Sequence, residues 1–414
     1  MEQLEFKNPY RPGAGHMPPH LAGREREYEE FDQLLEQDDI LKNVVLTGLR
    51  GVGKTVLLET FKPRAVEKGW FWATADFSES ASISETALAQ RLLADLSLIT
   101  SSIMVERTDS GVGFAAAAEQ TPLSHSVLTG VYEETPGLVS DKIKATLEFA
   151  WQQLRAHGKQ KVIFAYDEAQ NLSDHAGKEQ FPLSVLLDVF QSIQKKGIPF
   201  MLVLAGLPTL FPKLVDARTY AERMFRVMTV SKLSSAESRE AILKPIEVAD
   251  CPIKFGGNSV EIITYESGGY PYFIQFICRE VFDVFIQQNE RGELGTVPIE
   301  AIQQKLDADF FAGRWARITD RQKELLTVVA HLDEPDDEFT IQELVEKSKE
   351  LLTKSFSSSH ANQMLASLTE RGMIYKNRVG KYSFAVPLLG RFIRRIDRTH
   401  APEASGDSPA QTLF

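Results

Sequence analysis

The sequence predicts an α/β protein with a parallel sheet covered by helices on both faces, followed by a helical domain and a small domain of helices and a hairpin. Three observations lead to this prediction. Up to residue 234, short apolar segments alternate with amphipathic segments of helical period, which is typical of βαβ units. Over 235–317 the apolar residues recur at helical spacing throughout. Over 318–398, three stretches with this spacing precede two short segments joined by a turn.

Composition limits the class of protein. The chain has 414 residues, 43% of them apolar, and a net charge of −11, which argues against a protein that coats nucleic acid over its whole surface. The length predicts two or three domains. No secretory signal and no apolar run of membrane-spanning length is present, and Cys251 and Cys278 have no partner at metal-ligand spacing. We therefore expect a cytoplasmic protein with reduced thiols and no membrane contact.

The first strand of the predicted sheet ends in a glycine-rich turn that leads into a helix. The segment LKNVVLTGLRGVGKT (41–55) fits the P-loop pattern G-x-x-x-x-G-K-[ST]. Glycines let backbone N–H groups approach phosphate oxygens, and the helix N-terminus favours negative charge. Lys54 would contact the β- and γ-phosphates of ATP, and the Thr55 hydroxyl would bind Mg²⁺. The predicted nucleotide contacts are Gly48, Leu49, Arg50, Gly51, Val52, Gly53, Lys54, Thr55 and Val56.

The elements around this motif follow in order. Residues 1–20 are rich in proline and glycine, which predicts an extended arm. The region 21–234 is the predicted sheet domain, interrupted by an irregular insertion at about 103–139. Its other predicted elements are a helix at 21–37, a strand at 69–78, and helices at 82–99, 140–159 and 181–197.

A second chemical site follows the strand Val162–Tyr166. Asp167 and Glu168 end this strand, and a P-loop enzyme needs an acid here to hold Mg²⁺ and a base beside the γ-phosphate. We assign the metal to Asp167 and the role of catalytic base to Glu168, which favours hydrolysis over passive binding. The alternative is an ordinary exposed acidic turn.

Two segments resemble AAA+ ATPases. Gly23–Arg24–Glu25 resembles the first box of the origin-initiator and STAND branch, and DEAQNL (167–172) resembles the Walker B box of transposition-regulator and secretion-type members. The first resemblance implies that Gly23 and Arg24 lie against the adenine. The alternative is an ordinary amphipathic surface helix.

The same resemblance implies a sensor and an arginine finger. AAA+ proteins place a polar sensor at the end of the strand that here ends in Ala205 and Gly206, so Thr209 is the nearest candidate. Some members supply an arginine in trans to a neighbouring subunit, which implies a homo-oligomer and a catalytic role for Arg223, with Arg226 as second choice. A surface or salt-bridged arginine is the alternative.

The helical region 235–317 corresponds to an AAA+ lid. Gly269–Tyr270–Pro271 resembles the GxP motif of STAND ATPases, which implies that Tyr270 and Pro271 pack on the nucleotide base. The lid lacks the arginine that many AAA+ proteins carry at this place.

Residues 318–398 have the element order of a winged helix-turn-helix, and archaeal initiator ATPases resemble this whole layout. The segment 371–398 carries eight basic residues and one acid. Lys376, Arg378 and Lys381 are placed to contact DNA phosphates from the wing. Winged helices also dock proteins, so a protein partner is the alternative. Residues 399–414 are expected to be disordered.

Three functions therefore compete. The first is an ATPase that acts as a nucleotide-gated switch on double-stranded DNA. The second is a STAND-like signalling or defence ATPase whose winged helix binds a protein. The third is a nucleotide-binding module without useful turnover.

Overall fold

Contacts between residues divide the chain into two units. The structure is a computed structural model. It describes residues 7–107, 119–158, 161–251, 254–256, 258–290, 296–333, 338–378 and 380–400. The N-terminal unit is Arg11–Ala241, and the C-terminal unit is Ile242–Phe414 together with Met1–Tyr10. The division falls within one helix, a few residues after the domain boundary that we place at 234/235.

The N-terminal unit is built on a five-stranded parallel sheet. Its strand order is β2-β5-β6-β1-β7. The elements of this part of the chain are α1 (Glu25–Leu35), β1 (Asn43–Thr47), α2 (Lys54–Glu67), β2 (Phe71–Asp76), α3 (Glu85–Thr100), β3 (Met104–Arg107), β4 (Glu119–Pro122), α4 (His125–Glu134), α5 (Val139–Ala156), β5 (Val162–Asp167), α6 (Pro182–Gln194), β6 (Phe200–Gly206), α7 (Leu210–Ala217), α8 (Ala221–Met224), β7 (Phe225–Thr229) and α9 (Ser235–Val248). The predicted parallel sheet with helices is confirmed.

The three central strands are buried along their whole length. Every residue of β1, β5 and β6 is buried, and polar residues occur only at the ends of β1 and at the end of β5, as expected for strands covered on both faces. The edge strands β2 and β7 contain exposed positions. Since all five strands are parallel, the ends of β1, β5 and β6 meet at one edge of the sheet.

The expectation of an irregular insertion at about 103–139 is wrong for its described parts. Strands β3 and β4 form a two-stranded antiparallel ribbon, and α4 follows. Leu128 and Tyr132 on α4 are buried in the core of the N-terminal unit. The ribbon was missed because strands of four residues are too short to show a period in the sequence.

The C-terminal unit combines helices with a small antiparallel sheet. Its elements are α10 (Ser259–Ser267), α11 (Pro271–Glu290), α12 (Ile299–Leu306), α13 (Gly313–Trp315), α14 (Asp320–Ala330), β8 (Phe339–Thr340), α15 (Ile341–Leu351), α16 (Ser358–Glu370), β9 (Ile374–Arg378), β10 (Lys381–Phe384) and α17 (Leu389–His400). A π-helical segment, Asp307–Ala312, joins α12 to α13. The sheet order is β8-β10-β9. None of the described helices is long and apolar enough to cross a lipid bilayer.

Helix α17 was not predicted. It extends to His400, into the segment expected to be disordered, and residues 401–414 lie outside the described part. Its apolar residues Phe392 and Ile393 are buried, and Phe392 stacks on Phe311 with ring centroids 5.2 Å apart. The helix therefore completes the core of the C-terminal unit.

The N-terminal arm contributes to the core of the C-terminal unit. Its described residues, 7–20, contain no helix or strand, and its extended course stays a prediction. Tyr10, however, is fully buried, lies between the rings of Phe255 and Phe282, and donates a hydrogen bond of 2.5 Å to the carbonyl of Ile242. Burial raises the pKa of the Tyr10 hydroxyl well above its ordinary value.

Candidate nucleotide-binding site

The turn between β1 and α2 has the backbone shape that phosphate binding requires. Gly51 and Gly53 have φ angles of +77° and +93°, which side chains with a Cβ rarely adopt. A Cβ on Gly48 would lie 2.3 Å from the carbonyl oxygen of Val230. Val52 and Val56 point into the core, whereas Arg50 is exposed. The glycines of the motif are thus needed for the loop itself, before any ligand is considered.

Lys54 lies inside this loop. Its Nζ donates to the carbonyls of Gly48 and Leu49, both at 2.9 Å. Burial lowers the pKa of Lys54, and the nearby carboxylates of Asp167 and Glu168 oppose that shift. The ammonium group is therefore held within the loop and close enough to both acids to feel their charge.

Thr55 and Asp167 meet directly, although 112 positions separate them in the chain. The Thr55 hydroxyl donates to Oδ2 of Asp167 at 2.5 Å. Asp167 is 5% exposed, and its Oδ1 accepts the backbone N–H of Glu168 at 2.7 Å. The structure thus brings together the two residues predicted to bind the metal.

The donor set fits Mg²⁺ that is shared with a nucleotide. Mg²⁺ usually takes one or two protein oxygens and completes its shell with water and substrate phosphates. Thr55 and Asp167 supply such a pair, and no group of three or more His, Cys, Asp or Glu side chains that could hold a metal occurs among the described residues. When bound, Mg²⁺ would neutralise charge on the phosphates.

Glu168 stands at the end of β5 in a strained conformation. Its φ is +50°, which is uncommon for a residue other than glycine, and its side chain is exposed. Its Oε2 accepts a hydrogen bond from Nε2 of Gln170. The carboxylate is therefore directed by a specific partner rather than left free in solvent.

Comparison with known proteins agrees with this geometry. Residues 20–215 match a family model described as "AAA ATPase domain". The protein is an ATPase. Residues 308–393 of the ATPase match a second model, described as a domain of unknown function (DUF8462). No curated protein matches the chain.

Solved structures resemble the ATPase along nearly its whole length. The ORC2 protein of Aeropyrum pernix in its ADP form is 13% identical with a TM-score of 0.53, and the match covers 95% of this chain and 98% of that one. The structure of the same protein in ADPNP–ADP complexes is 13% identical with a TM-score of 0.52, and the match covers 93% of this chain and 96% of that one. Cdc6p of Pyrobaculum aerophilum is 14% identical with a TM-score of 0.45, and the match covers 94% of this chain and 97% of that one. The likeness to ORC2 shows that the chain shares the fold of that protein.

The side chain of Arg24 supports the P-loop of the ATPase through hydrogen bonds to backbone carbonyls. The residue is 4% exposed, and its guanidinium donates to the carbonyls of Val52 and Ser231 at 2.9 and 3.0 Å. A third bond goes to the carbonyl of Gly23, whose φ is +65°. The expected contact of Gly23 and Arg24 with adenine stays a prediction, but Arg24 also has a supporting role that the sequence did not reveal.

We expect Arg24→Ala to weaken nucleotide binding by about tenfold, because bonds from a charged donor are worth roughly 1.5–3 kcal/mol and Val52 would lose one. Titration with a fluorescent ATP analogue measures the change. Arg26→Ala is the matched control, since that side chain lies two residues further on, in the first turn of α1, and is 85% exposed. Equal affinities for the Arg24 and Arg26 variants would show that the hydrogen bonds from Arg24 do not contribute to nucleotide binding.

The end of β6 has no polar side chain of its own. Ala205 and Gly206 end the strand, and Thr209 precedes α7 without a side-chain cap bond. Gln170 reaches this place instead, because its Oε1 accepts the backbone N–H of Leu207 at 3.0 Å. The role of Thr209 as a sensor stays a prediction.

The two candidate finger arginines differ in their surroundings. Arg226 forms an ion pair of 3.0 Å with Glu30. Arg223 is exposed, and no side chain among the described residues pairs with its guanidinium. The geometry thus favours Arg223 over Arg226 as a residue available to a neighbouring subunit.

The remaining predicted site residues belong to the C-terminal unit. Tyr270 directly precedes α11, and Pro271 is its first residue. Lys376 on β9 is exposed, Lys381 on β10 is half-buried, and the side chain of Arg378 lies outside the described part. The nucleotide and DNA contacts of these residues stay predictions.

Part of the basic charge near the C-terminus has partners within the same unit. Arg395 forms a two-pronged ion pair with Asp307. Arg391 lies 4.7 Å over the ring of Tyr265, and Arg371 donates to a backbone carbonyl at 2.7 Å. The charge excess counted from the sequence is therefore larger than the charge available to a polyanion.

Proposed function

We propose that this ATPase is a nucleotide-gated switch that hydrolyses Mg·ATP in the P-loop site and engages double-stranded DNA through a C-terminal winged helix. The observation that carries the catalytic part is the contact between Thr55 and Asp167, beside Lys54 and Glu168. It supports a site in which two metal ligands, a phosphate-binding lysine and a base lie at the carboxyl edge of one sheet, where α/β proteins bind nucleotides.

Each residue has a defined task in this proposal. Lys54 binds the β- and γ-phosphates, and Thr55 and Asp167 hold the metal. Glu168 accepts one proton from the attacking water. The water oxygen keeps its other proton and forms a bond to the γ-phosphorus, while the bond from that phosphorus to the β–γ bridging oxygen breaks, so the products are ADP and hydrogen phosphate. The ADP form and the ADPNP–ADP complexes of ORC2 support nucleotide binding by this fold.

The C-terminal order supports a winged helix. Three helices, α14, α15 and α16, are followed by the hairpin β9–β10, and β8 completes a three-stranded sheet. In such a domain the third helix enters the major groove and the hairpin contacts phosphates. Here that helix is α16, and its exposed positions include Ser358, Ser359, Asn362 and Gln363.

We expect the wing variant Lys376→Ala/Arg378→Ala/Lys381→Ala to weaken binding of duplex DNA by the full-length protein. The slope of log K against log salt should fall by about one for each phosphate contact removed. Fluorescence anisotropy at several salt concentrations measures both quantities. Lys347→Ala/Lys349→Ala is the control, because those lysines lie on α15 and pair with Glu350 and Glu346. If the wing variant binds as the wild type does, the wing is not the DNA contact.

A second function has one specific observation in its favour. The exposed face of α16 carries no lysine or arginine within the described helix, and several nearby arginines have internal partners. A partly uncharged face suits a protein surface better than a phosphate backbone. Lack of any salt-dependent duplex binding by the wild type would favour the STAND-like alternative, in which the winged helix docks a protein.

We further propose that the ATPase assembles with copies of itself and that Arg223 acts in trans. An arginine from a neighbour stabilises charge on the transferred phosphoryl group. The exposed position of Arg223 beside the edge strand β7 supports this role.

A further inference from the structure

Gln170 takes part in three hydrogen bonds that fix its position between the ends of β5 and β6. Its backbone carbonyl accepts Nζ of Lys213 at 2.6 Å. Its side-chain oxygen accepts the N–H of Leu207 at 3.0 Å, and its side-chain nitrogen donates to Oε2 of Glu168. The amide thus connects the turn after β6 with the carboxylate after β5.

The turn after β6 is shaped to receive this amide. A Cβ on Gly206 would lie 2.6 Å from Oε1 of Gln170 and 2.9 Å from the side chain of Leu210. A side chain on residue 206 would force the ends of the Gln170 and Leu210 side chains to move. The close approach therefore depends on the residue that occupies the expected sensor position.

The carboxylate of Glu168 needs such a partner. Glu168 is exposed, so core packing does not hold its side chain, and its backbone is in the left-handed region. The bond from Gln170 engages Oε2 and leaves Oε1 free to accept from a water molecule. Proton transfer requires heavy atoms at hydrogen-bond distance in a defined direction, so a carboxylate that rotates freely loses rate.

We propose that Gln170 is a positioning residue that orients Glu168 for hydrolysis and makes this orientation depend on the turn after β6. The inference rests on the proposed role of Glu168 as the base. Gln170 itself has no contact with the reacting atoms. It provides, from the β5 end, the polar group that the β6 end lacks.

Two substitutions separate this role from a purely structural one. Gln170→Ala removes both side-chain bonds. Gln170→Glu has nearly the same shape and keeps an oxygen that can accept from Leu207, but it cannot donate to Glu168 and repels its charge. We expect kcat for ATP to fall about ten- to a hundredfold in both variants, because small misplacements of a reacting group cost rates of this order. The affinity for ATP should stay within about twofold of the wild type, since neither bond reaches the P-loop.

A double-mutant cycle tests whether the effect passes through Glu168. Added to Glu168→Gln, the Gln170→Ala change should lower kcat no further. Gln152→Ala, an exposed glutamine on α5, is the matched control, and melting temperatures of all variants verify folding. If Gln170→Glu retains wild-type kcat, the bond to Leu207 is the only one that matters and the proposal is wrong. An additive loss in the cycle would overturn it as well.

Failure of this inference is distinct from failure of the proposed function. If Glu168→Gln turns over at the wild-type rate, Glu168 is not the base, and the premise itself fails. If Glu168→Gln is slow while Gln170→Ala and Gln170→Glu are as fast as the wild type, only the positioning role is rejected.

Discussion

ATP binding is expected to be lost when Lys54 is replaced by alanine. The ammonium group lies inside the P-loop, 2.9 Å from two of its carbonyl oxygens. The first turn of α2 contains no second lysine that could replace it. Truncation of one member of a buried charge pair costs roughly 2–5 kcal/mol, so the affinity should fall by about two orders of magnitude or more. Isothermal titration with ATP and with ADP measures the loss.

The control for this variant lies on the same helix. Lys62 is exposed two turns further along α2, and Lys62→Ala should bind ATP as the wild type does. The P-loop assignment is refuted if Lys54→Ala keeps the affinity of the wild type. An ADP affinity that falls less than the ATP affinity would indicate that Lys54 contacts mainly the γ-phosphate.

Replacement of Glu168 by glutamine is expected to lower kcat by about a hundredfold or more, because a positioned general base contributes on the order of 10²–10⁴. Glutamine keeps the shape and can still bond to Gln170, but it cannot accept the proton of the attacking water. ATP binding should be preserved, since Lys54, Thr55 and Asp167 are unchanged. Phosphate release at saturating ATP, together with a binding titration, separates the two effects.

Glu179 offers a matched control for this second variant. It is exposed and has a φ of +53°, so Glu179→Gln makes the same chemical change in the same backbone conformation. We expect no loss of turnover there. Equal rates for the wild type and Glu168→Gln would favour water activation by another group and would remove the catalytic assignment.

The sequence predicted best where local pattern and chemistry coincide. Strands β1, β5 and β6 are apolar runs that end in glycine or in acidic residues, and the P-loop motif has a fixed spacing. Helix starts follow local rules as well, since the side chains of Ser84 and Thr319 cap α3 and α14. In these places a few neighbouring residues determine the structure.

It predicted poorly where the structure depends on distant residues. The acceptors of Arg24 come from segments 28 and 207 positions away, and the partner of Gln170 on the β6 turn is 37 positions away. The DEAQNL segment drew attention to Asp167 and Glu168, but nothing local distinguishes its glutamine from a solvated one. Helix α17 was not predicted because the segment is rich in arginine, so the two buried apolar residues Phe392 and Ile393 did not stand out as a helical pattern.

The burial of Tyr10 makes the C-terminal unit discontinuous in sequence. Its core is completed by a residue that is synthesised before the entire nucleotide-binding sheet, and the ring of Tyr10 contacts Phe255 and Phe282. A C-terminal fragment that begins at residue 242 would therefore expose these two aromatic rings, although it contains α10 to α17 and β8 to β10. Ribosomal synthesis imposes an order on folding as well, because this core cannot close until Phe282 has emerged, when the P-loop and both acidic residues have long been available.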